Sequence, residues 1–336
     1  MNKEMYLNEL KKALSGLNEQ EKEAALAFCT EMIDDRVEAG LTEEAAVNAM
    51  DAPAQMAEKL AVDFKQPPQA AASFAPPQSN EWQKMVLRCA PEGINHINLQ
   101  TTNMGIKAIP SKDGQITLTY FTRAQNVHEA TVEGDALILR EIKSVSSRNF
   151  FSFFSGPGCR EGVTLELPAD MMVNLKMQSK NGGLSLSDMQ MLMHVDMHTT
   201  NGGLSVSRVN CISLDIKTTN GGLALSETKA KTFFDAGTTN GGLAVKDCFC
   251  PLYLSLHTTN GGVAVANCVS QNHLSIRSSN GGMKVHNLNG ASLALHTSNA
   301  PITGTLPGPQ SLWQIESHTT NGRNNLPASQ PGEKPL

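Results

Sequence analysis

No stretch of this 336-residue chain is apolar over the ~18 residues that a membrane helix needs, and its charged first residues lack the apolar core of a signal peptide. The expected setting is therefore cytoplasmic, or peripheral to a membrane or the cell envelope, with no signal peptide or transmembrane helix. An excess of positive charge is missing too. The net charge is −5, and no basic stripe interleaved with aromatics occurs, which argues against nucleic acid as a partner. Cysteine appears as Cys29, Cys89, Cys159, Cys211, Cys248, Cys250 and Cys268, an odd set without C-x-x-C spacing. That excludes a disulfide framework and a zinc-type cluster, and the thiols read as reduced, packed side chains. No cofactor and no metal are expected.

What the chain does have is a repeat. Asn-Gly-Gly begins at Asn181, Asn201, Asn220, Asn240, Asn260 and Asn280, at intervals of 20, 19, 20, 20 and 20 residues. A short unit of fixed length cannot bury its own apolar face and must stack on copies of itself. Counting from each Asn, the residues six and four before it are apolar (Leu214 and Ile216, Leu254 and Leu256), with Asp215, Lys217, Ser255 and His257 alternating between and after them. Three and five after it comes a second apolar pair, such as Leu204/Val206 and Leu243/Val245. Period two on both sides predicts two strands, each with one buried face. The pairs Asn181-Gly182, Asn201-Gly202, Asn220-Gly221, Asn240-Gly241, Asn260-Gly261 and Asn280-Gly281 are assigned as corner residues, supplying the positive φ that a sharp reversal needs.

A meander of hairpins would pair each strand with its sequence neighbour, whereas a solenoid pairs it with its equivalent one coil away. Constant spacing favours the solenoid, because equal lengths keep Asn over Asn and Thr over Thr in side-chain ladders. The predicted fold is mainly β: a single-stranded parallel β-solenoid, β-helix-like, preceded by a small all-α helical bundle. At a strand spacing of ~4.8 Å, the regular coils would span on the order of 30 Å, with open edges at both ends that need covering. The repeat decays outward, through Asn299-Ala300-Pro301 and Trp313 to Gly322 downstream, and upstream to an isolated early copy, Ile97 to Ile106.

Residues 1–64 carry 14 acidic and 6 basic side chains, against 18 and 21 in the rest. Asn2 caps a first helix with Met5, Tyr6, Leu10 and Leu14 on one side, ending at Gly16. Asn18 and Glu21 form a capping box for a second through Leu26, Met32, Ile33 and Val37 to Gly40. Thr42 starts a third, and Pro53 sits at the start of a fourth carrying Met56, Leu60 and Phe64. Residues 65–81, rich in Pro, Ala and Gln, read as a linker, 82–326 as the solenoid with regular coils from about 175 to 300, and 327–336 as a disordered tail.

On the recurring Thr199-Thr-Asn-Gly-Gly-Leu-Ser-Val206 and Thr258-Thr-Asn-Gly-Gly-Val-Ala-Val265, and on Val163 to Pro168, the region from about 94 to 326 resembles the bacterial adhesin-like or toast-rack β-strand-repeat family. Met1-Asn-Lys-Glu4, Leu10-Lys-Lys-Ala-Leu14 and Asp51-Ala-Pro53 resemble the helical HAAS-type domain, with Met50-Asp51-Ala52-Pro53 standing where that family usually shows Gly-Asp-Pro. The pairing resembles LiaX-like cell-envelope stress proteins. The resemblance implies a sensing or regulatory role without known catalytic residues.

Candidate chemistry is thin. His198, His257, His296 and His318 all fall three residues before an Asn and share an outward column, in which only His296 and His318 can be neighbours. Asp196, Asp215 and Asp235 form another, five before the Asn. Stacked carboxylates suit calcium or raise one another's pKa, but Lys217 lies beside them and relieves the repulsion. Cys248 and Cys250 face one way on a strand, as core filling. Phe150, Phe151, Phe153 and Phe154, flanked by Arg148 and Arg160, are either an end plug or an exposed contact for a membrane surface or partner protein. The expected function is a non-enzymatic binding or regulatory protein with a protein partner through residues 1–64. A passive adhesin-like scaffold is the alternative. A carbohydrate-active enzyme would need more acid and base in one groove than Asp215 and Lys217 provide.

Overall fold

The structure, a computed structural model, describes residues 3–15, 22, 25–26, 29–30, 33, 42–48, 50–57, 81–124, 126–142, 162–308, 314–326 and 329–330. The chain divides into two compact units between residues 73 and 74.

In the first unit, helix α1 (Lys3–Ala13) buries Tyr6 and Leu10, with Leu14 one turn further on. These positions are four apart and fall on one helical face. Met5 does not join them. It is 55% exposed, because it sits a full 100° step off the stripe that Tyr6 defines. Ala25, Cys29 and Ile33 repeat the same four-residue spacing and are buried with them. The Thr42 hydroxyl accepts the Ala45 N–H at 3.3 Å and caps α2 (Glu43–Asn48), which buries Ala46 and Val47. Residues 53–57 are helical and add Met56 and Ala57 to this core, and the Tyr6 hydroxyl donates to the Asp51 carbonyl at 2.8 Å. Asn2, Gly16, Asn18, Glu21, Met32, Val37, Gly40, Leu60 and Phe64 lie outside the described residues, as do linker residues 65–80.

The second unit opens with β1 (Gln83–Cys89), β2 (His96–Thr101), β3 (Ile106–Pro110), β4 (Ile116–Thr122), β5 (Val127–Glu133), β6 (Ala136–Ile142), β7 (Val163–Leu167), β8 (Asn174–Ser179) and β9 (Leu184–Ser187). The regular coils follow as strand pairs: β10 (Leu192–Thr199) and β11 (Leu204–Ser207), β12 (Asn210–Thr218) and β13 (Leu223–Ser226), β14 (Lys229–Thr238) and β15 (Leu243–Lys246), β16 (Tyr253–Thr258) and β17 (Val263–Ala266), β18 (Val269–Ser278) and β19 (Met283–His286), β20 (Asn289–Thr297) and β21 (Ile302–Thr305). Strands β22 (Gln314–Thr319) and β23 (Ser329–Gln330) close the chain.

Strands before the Asn form sheet B and strands after it form sheet A. Within the coils, every pairing is parallel and joins equivalent positions: Thr199 to Thr218, Asp215 to Asp235, Leu223 to Leu243, Val245 to Val265. The fold is a parallel β-solenoid. The inward Leu, Ile, Val and Met of both sheets interleave between them in one continuous core. Each such side chain, removed from water, contributes about 1.5–3 kcal/mol before chain entropy is counted.

The early copy is not isolated. Strand β2 pairs in register with β8, and β3 with β9, so the Asn103 coil lies directly against the Asn181 coil. The chain between them leaves to build the solenoid's end: β6 stacks on β2 and β7 on β3, forming a coil outside the first one. Antiparallel β5 covers β6, while antiparallel β4 and then β1 extend sheet A beyond β7. Antiparallel closure ends the repeating edge. At the other end β23 runs antiparallel to β22, and the Asn325 side chain mimics a strand rung on β21. Its Oδ1 accepts the Gly304 N–H at 3.0 Å and its Nδ2 donates to the Gly304 carbonyl at 3.3 Å.

Candidate functional site

The Asn corner is built from two ladders. Each Asn Nδ2 donates to the Oδ1 of the Asn one coil earlier, from Asn181 on Asn103 through Asn201, Asn220, Asn240, Asn260, Asn280 and Asn299 to Asn321, at 2.6–2.7 Å throughout. Behind them, the Thr two residues before the Asn is buried and used twice. The Thr238 hydroxyl accepts the Gly241 N–H at 3.1 Å and donates to the Gly221 carbonyl one coil away at 2.9 Å. Thr199, Thr218, Thr258 and Ser278 repeat the arrangement.

The glycines act through closeness, not through φ. None of the corner glycines has a positive φ, which corrects the assignment made from their residue type. A Cβ on Gly182 would instead fall inside the Met104 carbonyl, and one on Gly202, Gly221, Gly241, Gly261 or Gly281 inside the glycine carbonyl of the coil before it. The left-handed backbone is seven residues after the Asn, at Asp188, Arg208, Glu227, Asp247, Asn267 and Asn287, with φ between 48° and 63°. There too the side chains couple coils: Arg208 Nη2 donates to Asp188 Oδ2 at 3.0 Å, Asn267 to Asp247 at 2.8 Å and Asn287 to Asn267 at 2.9 Å.

The carboxylate and histidine columns meet on the outer face of sheet B. Lys217 Nζ lies between Asp215 and Asp235, at 2.8 and 3.3 Å. His198 reaches Asp196 at 3.2 Å and Asp215 at 3.8 Å, and His257 reaches Asp235 at 3.4 Å. Burial pushes the Asp235 carboxyl up, but hydrogen bonds from His257, Ser255 and Lys217 outweigh it and hold the group below the usual carboxylate range. The hydrogen bond to Asp215, with the charge of both carboxylates, raises Lys217. Acid and base thus neutralise one another along the column. Among the described residues, no group of three or more His, Cys, Asp or Glu is arranged to hold a metal. His296 and His318 stack with ring centroids 5.5 Å apart.

A third column, seven before the Asn, escapes a reading confined to the positions nearest the corner. Phe233, Tyr253 and His273 stack with centroids 5.9 and 5.5 Å apart. A bulge between Cys211 and Ser213 interrupts the alternation on that side, but counting back from each Asn recovers it. The outer face of sheet A is different in kind. Its outward residues are small, among them Ser205, Ala224, Ala244 and Ala264, and with Lys246, Lys284 and His286 they line a shallow trough of about 440 Å³.

Cys211, Cys248, Cys250 and Cys268 are buried in the core. Burial, with the neighbouring Cys250, pushes the Cys211 thiol up to about 12, and the hydrogen bond with Cys268 together with burial raises Cys248. Cys211 and Cys248, held protonated, are poor nucleophiles and metal ligands. Cys159 and the segment containing Phe150, Phe151, Phe153 and Phe154 lie outside the described residues, between β6 and β7. Among the described residues, no helix is long and apolar enough to cross a membrane.

Residues 94–251 match the family model Toastrack DUF4097, and residues 6–59 match the HAAS family model. Among curated proteins no match is found. Among solved structures, an adhesin-like protein from Bacteroides fragilis is similar at 14% identity over 75% of this chain and 98% of its own, with a TM-score of 0.45. A second, a cell-adhesion-like protein from Clostridium sporogenes, is similar at 12% identity over 62% of this chain and 100% of its own, with a TM-score of 0.27.

Proposed function

We infer that this chain, whose residues 94–251 match the toast-rack family model and residues 6–59 the HAAS model, is a non-enzymatic binding and regulatory protein. In this reading a rigid solenoid presents a recognition surface, and the helical unit passes the signal to a protein partner during bacterial cell-envelope stress. The observation that supports it is the state of the polar columns. Catalysis needs a base or nucleophile left available beside a groove, whereas Asp215, Asp235, Lys217, His198 and His257 are engaged with one another on an open sheet face. Such a surface recognises by shape and charge. The helical unit has the opposite character, with Glu4, Met5, Asn8 and Glu9 exposed on α1, and that face is the proposed partner contact.

The test is in-cell cross-linking of the full chain, with and without an envelope-damaging agent, beside a Met5→Glu/Glu9→Lys variant. A partner that cross-links to wild type, changes with stress and is lost in the variant supports the regulatory role. A cross-linking pattern indifferent to both the agent and the variant would leave the passive scaffold as the better description.

A further inference from the structure

Seven of the nine histidines of the chain, His96, His194, His198, His257, His273, His296 and His318, stand on the outer face of one sheet. The other two are elsewhere: His286 is on sheet A, and His128 is buried beneath the capping strands. We propose that the outer face of sheet B is a docking surface for an anionic phospholipid bilayer, engaged in mildly acidic surroundings where its histidines carry charge. Failure of a helical-unit partner to appear would not touch this proposal, nor would its failure touch that partner.

Histidine is the side chain that changes charge between pH 8 and 5. On the nine strands from β2 to β22, the fixed outward charges almost cancel: Asp196, Asp215, Asp235 and Glu316 against Lys176, Lys217, Lys229, Lys231 and Arg277. With the histidines neutral the face has no strong attraction for an anion. With them protonated it becomes cationic over its whole length. Each histidine has polar or charged neighbours. His96 faces Asp135 and Asn174, His198 faces Asp196 and Asp215, and His257 faces Asp235 on one side and Arg277 on the other. His194 and His273 meet the hydroxyls of Ser213 and Ser292. His296 lies between Arg277 and His318, and Glu316 stands on the same strand as His318. Where two cationic rings or a ring and a guanidinium adjoin, an anionic surface relieves their repulsion.

Two further observations select a bilayer over a soluble anion. The charge is spread over a sheet face on the order of 40 Å long, at ~4.8 Å per strand, and an extended surface is needed to meet all of it. The same face has exposed apolar side chains where its strands begin: Met172 ahead of β8, Met191 ahead of β10 and Leu252 ahead of β16 are 54%, 47% and 51% exposed, and Phe233 and Tyr253 on β14 and β16 are 39% and 36% exposed, with Lys229 and Lys231 at the start of β14. Basic groups next to exposed Met, Leu and aromatic side chains are the combination that binds at a lipid headgroup boundary.

The experiment is flotation of the full chain with vesicles, in which aggregated protein stays behind. Vesicles of phosphatidylcholine alone are compared with phosphatidylcholine plus phosphatidylglycerol, at about pH 7.5 and about pH 5.5. The expected result is at least about tenfold more binding to the anionic vesicles at the lower pH, reduced by high salt. A His257→Gln/His273→Gln/His296→Gln/His318→Gln variant should lose most of that rise, and glutamine already occupies two of these columns at Gln178 and Gln314. Met191→Ser/Leu252→Ser should weaken binding at both pH values while the rise persists. The proposal is overturned if binding is equal at the two pH values, if the four-glutamine variant binds like wild type, or if excess soluble glycerophosphate displaces the protein completely. It is also overturned if Phe150→Ser/Phe151→Ser/Phe153→Ser/Phe154→Ser alone abolishes binding, which would assign the contact to that segment.

Discussion

At the Asn-Gly-Gly corner the residues are nearly the same from coil to coil and none has a positive φ, whereas at the far end of the sheet A strand they run Asp188, Arg208, Glu227, Asp247, Asn267, Asn287 and every one is left-handed. The usual association of glycine with positive φ would exchange these two descriptions. What separates them is packing. At the first corner of the six Asn-Gly-Gly coils neighbouring backbones approach so closely that a side-chain carbon has no room, although Met104 and Ala300 hold this place in the Asn103 and Asn299 coils, and buried Thr hydroxyls and Asn amides take up the polar groups. At the second corner the side chains point to water, so the left-handed turn costs about 1 kcal/mol and leaves residue type free.

Breaking the first corner should have the largest effect. Gly241→Ala drives a methyl into the Gly221 carbonyl and forces two coils apart, with a cost expected above about 4 kcal/mol and loss of cooperative thermal unfolding. Its neighbour sharpens the point. A Cβ on Gly242 would sit 3.5 Å from the Gly262 carbonyl, an ordinary contact, and Pro301 holds the equivalent place in the Asn299 coil. Gly242→Ala should therefore be neutral or stabilising by up to about 1 kcal/mol through the unfolded chain. Equal losses from both would refute the close-approach account.

Removing a ladder hydroxyl comes next. Thr238→Val keeps the shape but leaves the Gly241 N–H and the Gly221 carbonyl without their partner in a site 4% exposed, at a cost of about 2–4 kcal/mol by urea denaturation. Thr238→Ser should recover most of it, since Ser278 fills this role two coils on. The second corner should resist comparable changes: Glu227→Gly, at φ 48°, is expected to shift stability by less than about 1 kcal/mol.

The contrast also shows where sequence is a good guide. Period-two alternation beside a constant repeat length makes the parallel stack and its core legible, because Leu214 and Leu254 have one environment in common and water on the opposite face. Spacing cannot say how near two backbones come, so the reason for Gly241 is visible only in three dimensions. Chain order misleads at the start, where the coil mate of Asn103 lies 78 residues further on. The chain leaves the Asn103 coil to build β6 and β7 on its outer side before returning as β8 and β9, so chain order and stacking order differ there. On sheet B, His198, His257, His296 and His318 stand three before the Asn, while His194 and His273 stand seven before it, one alternation further out than the nearest two columns reach. Met5 fails for a simpler reason: the buried stripe of α1 is defined by Tyr6, one residue away.

The smallest expected effect separates the corners by titration. The Asn corner is a ladder of neutral amides, so protons should not discriminate between its states. At the other corner the hydrogen bond from Arg208 holds the Asp188 carboxyl below its usual range. A carboxyl with a lowered folded value binds its proton less readily than in the unfolded chain. Its contribution is therefore complete above the unfolded value of about 3.9 and disappears as pH falls below that, through the folded value. Both side chains are substantially exposed, 52% for Arg208 and 40% for Asp188, so solvent and salt screen the pair. Asp188→Asn should then lower the melting temperature slightly at neutral pH, lose that difference progressively as pH falls below the unfolded value of about 3.9 and through the folded one, and lose its effect in high salt. Asn240→Ser, which cuts the amide ladder, should cost the same throughout that pH range. A pH-dependent loss at Asn240, or a pH-independent one at Asp188, would mean that the two corners are not held by different physics.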